Sequence, residues 1–284
     1  MTKKTVFFNA KGGTGKTTIC YNYGWYLSEI KKKKVLLMDF DPQINLVQSF
    51  KKGVVNKYGN NLESLVKNFI EGKEINFSSY VVNITPNLDL LPSSNNIALL
   101  EEYLTNHILK RTFEEKLLYR AKYRNQIIRK ILEEKIKEDI YDYVLVDSQP
   151  NFSLLSTSSI IFAKNILVVI KPELFSFLDI NYLRKIIREL QKSFYVNIKI
   201  IGVIINAYEK RRKDIEYLVR ELHKKYGDQV RIYKNKIRYL SNYKKSVAMH
   251  RAPVFKTYPN SNASREMLEL FSEITDREDE FYYK

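Results

Sequence analysis

Cysteine is all but missing from this chain of 284 residues, with Cys20 its single representative. One thiol can close neither an intramolecular disulfide nor a multi-cysteine metal site, so a disulfide framework is excluded and a reducing interior is the expected setting. Glycine and proline are sparse, at 9 and 7, and they gather into no Gly/Ser/Pro linker. Internal repeats and low-complexity tracts are missing too. One domain spanning 1–284 is the simplest organisation, within the size that a single α/β unit reaches, and long enough for a sizeable core. No stretch approaches the roughly 18 apolar residues of a spanning helix. Thr5-Val6-Phe7-Phe8, soon followed by Asn9 and Lys11, is too short an apolar run for a signal peptide. A cytoplasmic location is expected.

What the chain has in excess is positive charge: 48 Lys+Arg against 32 Asp+Glu, a formal net charge of +16. Such a balance points to a polyanionic partner, either nucleic acid or an anionic membrane surface. Most of the excess is local. From Arg184 to Arg251 there are 19 Lys+Arg against 6 Asp+Glu, whereas from Ser264 onward there are 3 against 7.

Short β-rich runs alternate with longer helix-like stretches, the signature of a doubly wound, mostly parallel α/β sheet. Strands are expected at Thr5–Asn9, Val35–Asp39, Leu88–Pro92, Tyr143–Asp147, Ile166–Ile170 and Lys199–Asn206, mostly continuous apolar runs suited to burial on both faces. Helices are expected at Thr17–Ile30, Leu62–Glu71, Phe177–Phe194, Asp214–Tyr226 and Ala263–Ile274. Within 101–140, Leu104, Ile108, Phe113, Leu117, Ile128, Ile131, Ile136 and Ile140 recur at roughly helical spacing among charges. That pattern predicts a helical insertion of one or two amphipathic helices with a solvated outer face.

Between the first strand and first helix lies Ala10-Lys11-Gly12-Gly13-Thr14-Gly15-Lys16-Thr17-Thr18. It matches the phosphate-loop form G/A-x-x-x-x-G-K-T, with alanine at the first glycine position. Glycines let the backbone turn and present N–H groups to phosphate oxygens, and the helix that follows offers its positive end. Lys16 would neutralise β/γ-phosphate charge and the Thr17 hydroxyl can ligate Mg²⁺. Lys11 is a second lysine in the same loop.

Two later strands end in acids, as Asp39-Phe40-Asp41-Pro42-Gln43 and Asp147-Ser148-Gln149-Pro150. Ligands of an open parallel sheet sit beyond the carboxyl ends of its strands, so these acids should meet the phosphate loop at one crevice. Carboxylates there can hold Mg²⁺ or orient a nucleophilic water.

With these motifs, together with Leu88-Asp89-Leu90-Leu91-Pro92-Ser93-Ser94 and Tyr141-Asp142-Tyr143-Val144-Leu145-Val146-Asp147, the chain resembles the ParA/Soj/MinD family of deviant Walker ATPases. The likeness is strongest to its ParA-type partition branch. It runs from about Lys3 to Ile274 and is weakest over 101–140. The resemblance implies a P-loop NTPase that hydrolyses ATP slowly, with Mg²⁺, and forms an ATP-bound sandwich homodimer. Lys11 matches the family's signature lysine, which reaches the partner subunit's phosphates. Asp41 matches the acid that positions the attacking water. Thr17 and Asp147 match the magnesium site, with Asp39 in support, and Asn206 matches a base-contacting residue. Three positions depart from the pattern: Thr14 stands where valine is commoner, Ser148-Gln149-Pro150 replaces a segment usually ending in two prolines, and the insertion is long.

The resemblance gives the basic excess an address. Members of the branch bind double-stranded DNA without sequence preference when ATP-bound, and a ParB-type centromere-binding protein stimulates hydrolysis and releases them; nucleoid association follows. Arg211 and Arg238 match the family's DNA-binding arginines, and Lys210, Arg212 and Lys213 extend the first of them into a run. Grouped cations would bind a duplex with steep salt dependence. A MinD-like positioning or scaffold protein, acting at a pole or membrane, is the alternative. The acidic end of the chain argues against that family's basic amphipathic anchor, so a membrane partner is not expected. Relatives that share an iron–sulfur cluster between subunits need paired cysteines, which Cys20 alone does not provide. No long N-terminal extension precedes the first strand to hold a helix-turn-helix reader, and site-specific DNA binding is not expected.

Overall fold

The computed structural model describes residues 1–50, 59–111, 117–136, 140–173, 176–209 and 212–277, with the backbone alone at 108–111, 117–124 and 176–179. Seven strands form one sheet: β1 (Lys3–Phe8), β2 (Val35–Phe40), β3 (Val82–Thr85), β4 (Leu88–Leu91), β5 (Tyr143–Ser148), β6 (Asn165–Ile170) and β7 (Lys199–Ile205). Their spatial order is β3-β4-β2-β5-β1-β6-β7, and every pairing is parallel except the β3–β4 hairpin. Parallel strands need crossover helices, and these cover both faces.

The helices are α1 (Lys16–Trp25), α2 (Asn45–Gln48), α3 (Leu62–Ile70), α4 (Ala98–Arg111), α5 (Leu117–Lys135), α6 (Leu154–Ala163), α7 (Ser176–Phe194), α8 (Lys213–Tyr226), α9 (Ser241–Lys245), α10 (Val254–Thr257) and α11 (Asn262–Thr275). Strand periodicity sorts the core into two. Leu36, Met38 and Phe40 of β2 join Val144 and Val146 of β5 on the face covered by α3 to α8. Val35 and Leu37 join Tyr143 and Leu145 on the face covered by α1 and α11. Among the described residues no helix is long and apolar enough to cross a membrane.

Two elements escape the sequence pattern. β3 is a four-residue edge strand, only half-buried, too short to show alternation. α6 is apolar and buried all round, rich in Ser, Thr and Ile, and so carries neither a 3.6-residue period nor strong helix propensity. Its start is instead set by the Ser153–Ser156 capping box.

The 101–140 stretch is helical as expected, but it is not an outgrowth. Leu104, Ile128, Ile131, Leu132 and Ile136 are buried in the same core as β2 and β5, so α4 and α5 form part of the layer over the sheet. Ile140 is exposed. The side chains of Ile108, Phe113 and Leu117 lie outside the described residues.

Beyond β7 the chain runs back along the sheet's free edge. Bridges Val203–Ile232 and Tyr208–Arg238, with the Tyr233 and Ile237 amides donating to Val203 and Ile205, cover the backbone that β7 would otherwise expose.

Candidate nucleotide site

The phosphate loop follows β1, and Asn9 braces its start. The Asn9 amide donates to the Val169 carbonyl at 2.7 Å, while its side-chain oxygen accepts the Lys11 N–H at 3.0 Å. Gly13 and Gly15 have φ of 73° and 92°, the left-handed region that glycine enters freely. A side chain on Gly15 would run into the Asn206 amide, which donates to the Thr14 carbonyl at 2.6 Å. Asn206 is therefore at the phosphate loop, where the strand-end expectation put it.

Gly15 opens α1 with no side-chain cap and no acid in the first turn. The first N–H groups of that helix are left for an external anion, and the helix dipole favours one. Lys16 lies just inside, 6% exposed. Its ammonium donates to the carbonyls of Asn9 and Lys11, each at 3.3 Å. Burial lowers the Lys16 pKa, and the nearby Asp147 and Asp41 oppose that shift.

The acids arrive by register. Asp39 of β2 is the direct neighbour of Asp147 of β5, and both share the strand parity of the residues that face α1. Asp39 is fully occupied: its oxygens accept the Asp41 and Val47 amides, each at 3.0 Å. Asp147 is 0% exposed, and neither carboxylate oxygen has a partner of proper hydrogen-bond geometry. The adjacent Thr17 hydroxyl and Lys16 steady its charge. Desolvation pushes both carboxyls above the usual range, for Asp39 with the added field of Asp147. Cys20, one helical turn beyond Thr17, is buried and its thiol is pushed up by burial and then by the same two acids.

Asp41 accepts the Gln43 amide at 2.9 Å and lines a cleft of about 910 Å³ together with Gly12, Gly13, Gly15, Lys16, Thr17 and Thr18. Gln149, Pro150 and Asn151 line it too. The departure at Ser148-Gln149 is accommodated locally: the Ser148 hydroxyl donates to the Phe7 carbonyl at 2.7 Å, Gln149 donates to Ser153, and the Asn151 amide reaches Ala10 at 3.1 Å. Lys11 is half-buried, next to a smaller cavity of about 150 Å³ shared with Lys171 and Glu173.

Sequence reasoning missed part of the wall. Tyr243, Lys244, Val247 and Ala248 border the same cleft, and no motif marks them because the fold alone brings them there. It also missed Asn9, whose only signal was a polar residue ending an apolar strand.

Of the expected DNA-facing residues, Lys210 and Arg211 lie outside the described residues. Arg212 and Lys213 are exposed at the start of α8, where Arg212 pairs with Asp214 at 2.5 Å and more loosely with Glu209 at 3.6 Å. Arg238 is half-buried and paired with Glu266, which also accepts its backbone N–H at 3.0 Å and the Tyr243 hydroxyl at 3.2 Å.

The AAA_31 model, which describes an AAA domain, matches residues 2–200. A virulence plasmid ParA family protein, pGP5-D of Chlamydia psittaci, is 28% identical over 281 residues, covering 97% of this chain and 95% of that protein. The chromosome-partitioning ATPase Soj of Treponema pallidum is 29% identical over 234 residues, covering 81% of each. Among solved structures, the ATP complex of a McdA variant from Cyanothece superposes with a TM-score of 0.77 at 21% identity, covering 97% of this chain and 96% of that one.

Proposed function

The chain belongs to the AAA-domain family, among its ParA/Soj-type partition ATPases, and from that premise we propose that it is an ATP-switched DNA-segregation protein. One observation carries the reading: an uncapped helix N-terminus, a buried lysine and a buried, unpartnered aspartate converge on one cleft. ATP phosphates would take the place of the loop carbonyls now bound by Lys16 and accept from the α1 amides. The unpartnered Asp147 carboxylate and the adjacent Thr17 hydroxyl fit Mg²⁺. Among the described residues no cage of three His, Cys, Asp or Glu side chains exists, which suits an ion that keeps waters and phosphate oxygens in its shell. Bound there, Mg²⁺ would offset charge on the phosphate oxygens. Asp39 would act behind it, holding the Asp41 loop.

In this reading Asp41 orients a water for in-line attack on the terminal phosphorus, and the bond to the ADP oxygen breaks as the new P–O bond forms. Lys11 completes the site of the partner subunit in an ATP-bound homodimer. The run Lys210 to Lys213, with Arg238, binds duplex DNA through its phosphates, and a ParB-type protein accelerates release. The names of the Chlamydia and Treponema relatives support the partition setting.

Retention of random-sequence duplex DNA and of anionic liposomes, each with ADP, with ATP and with no nucleotide, tests the proposal. DNA retention in ATP alone, falling steeply with salt, is the expected result. Liposome retention without DNA retention would replace it with the membrane-positioning alternative.

A further inference from the structure

The cleft wall contributed by α9 continues as a π turn, Ser246–His250, that ends at Arg251 with φ 47°. A non-glycine residue pays roughly 1–2 kcal/mol to sit there, and such strain persists where the surroundings over-determine it. Here the Arg251 guanidinium donates to the Phe50 carbonyl at 2.7 Å and to the Gln48 carbonyl. Those carbonyls close the far end of α2, whose near end is the Asp41 loop.

That loop is strained as well. Ile44, β-branched, precedes α2 at φ 48°, an outlier for its type. Its amide donates to the Asp41 carbonyl at 2.8 Å. A helix of four residues cannot hold itself in water, and a cation at its C-terminal carbonyls is the stabilising arrangement. The frame behind the cation is firm. Just past Arg251, the Val254 amide donates to buried Asn22 of α1 at 2.9 Å, and Phe50 packs edge-on against Tyr21 of α1 at 5.1 Å.

We propose that Arg251 is a positioning residue for hydrolysis: it fastens the α2 end of the Asp41 loop to the helix that begins at Lys16, and so fixes Asp41 relative to the bound nucleotide. The inference rests on the reading of Asp41 as the water-orienting acid.

The test is Arg251→Gly in the full chain, because glycine is at ease at that φ and removes the clamp without introducing backbone strain. The kcat for ATP should fall about tenfold, with KM within about twofold and thermal midpoint unchanged; Arg251→Lys, which keeps a cation, should recover part of kcat. Parent kcat in Arg251→Gly overturns the clamp, as does a change confined to KM. Asp41→Ala separates the two claims. If it abolishes hydrolysis while Arg251→Gly does not slow it, the clamp alone fails; if Asp41→Ala hydrolyses at the parent rate, the Asp41 reading fails and the clamp with it.

Discussion

In the nucleotide cleft, Lys16, Asp39 and Asp147 are buried and tied to backbone or left with a vacancy that fits an ion. Between Arg231 and Arg251 the cations ride at the surface, and the anions that answer them come from α11. Glu273 accepts the Lys234 and Asn235 amides, each at 2.9 Å, and Glu266 holds Arg238. Buried charges are few, individually costly and fixed by many contacts. Surface charges are many, and each is worth little. Changes in the cleft should therefore act all-or-none, and changes on the basic segment should grade.

The largest effect tests the cleft at its centre. Lys16→Ala removes the ammonium meant for phosphate, and ATP affinity by equilibrium dialysis should drop at least about a hundredfold, or ~3 kcal/mol. Unchanged affinity would remove the phosphate-loop assignment. Gly15→Ala comes next. It forces a Cβ into the left-handed region and against the Asn206 amide, so denaturant unfolding should show a loss of about 2–3 kcal/mol.

The same contrast explains what could be read without the fold. The phosphate loop and the strand-end acids were legible because chemistry fixes residue type at fixed spacing, from Ala10 to Thr18. Buried strands such as Val144 to Val146 were legible as apolar runs. β3 was not, because half-exposed Val82-Asn83-Ile84-Thr85 lacks alternation and owes its pairing to the hairpin with β4. Nor was the wall from Tyr243 to Ala248, which tertiary packing delivers to the cleft. On the basic segment the sequence showed how many cations there are, but not that Arg238 already has Glu266 or that Arg251 is spent on the Asp41 loop.

Asp147→Asn probes the cleft's vacancy more gently. The Asp147 pKa in the fold lies above its unfolded value, so ionisation above about pH 4 works against folding, and the amide removes that penalty. The ligand-free protein should gain about 1 kcal/mol at neutral pH by denaturant titration, while the thermal shift that Mg²⁺ adds to the nucleotide complex should vanish. A magnesium-dependent shift that survived the substitution would move the ion elsewhere.

The smallest effects distinguish two cations within the basic region. Lys213 is exposed, whereas the Arg238 side chain is 33% exposed against a Glu266 side chain 13% exposed. A cation that neutralises a DNA phosphate contributes about 0.9 to the slope of log affinity against log salt. Lys213→Ala should lower the slope by about that amount. Arg238→Ala should lower it by clearly less, because Arg238 must give up Glu266 to reach a phosphate and trades one charge-assisted bond for another. Glu266→Gln then sharpens the comparison: with the carboxylate neutral, Arg238 is free to engage, and the slope should steepen toward one further contact. Equal slopes for Lys213→Ala and Arg238→Ala, unmoved by Glu266→Gln, would mean that the ion pair exerts no control over the DNA face.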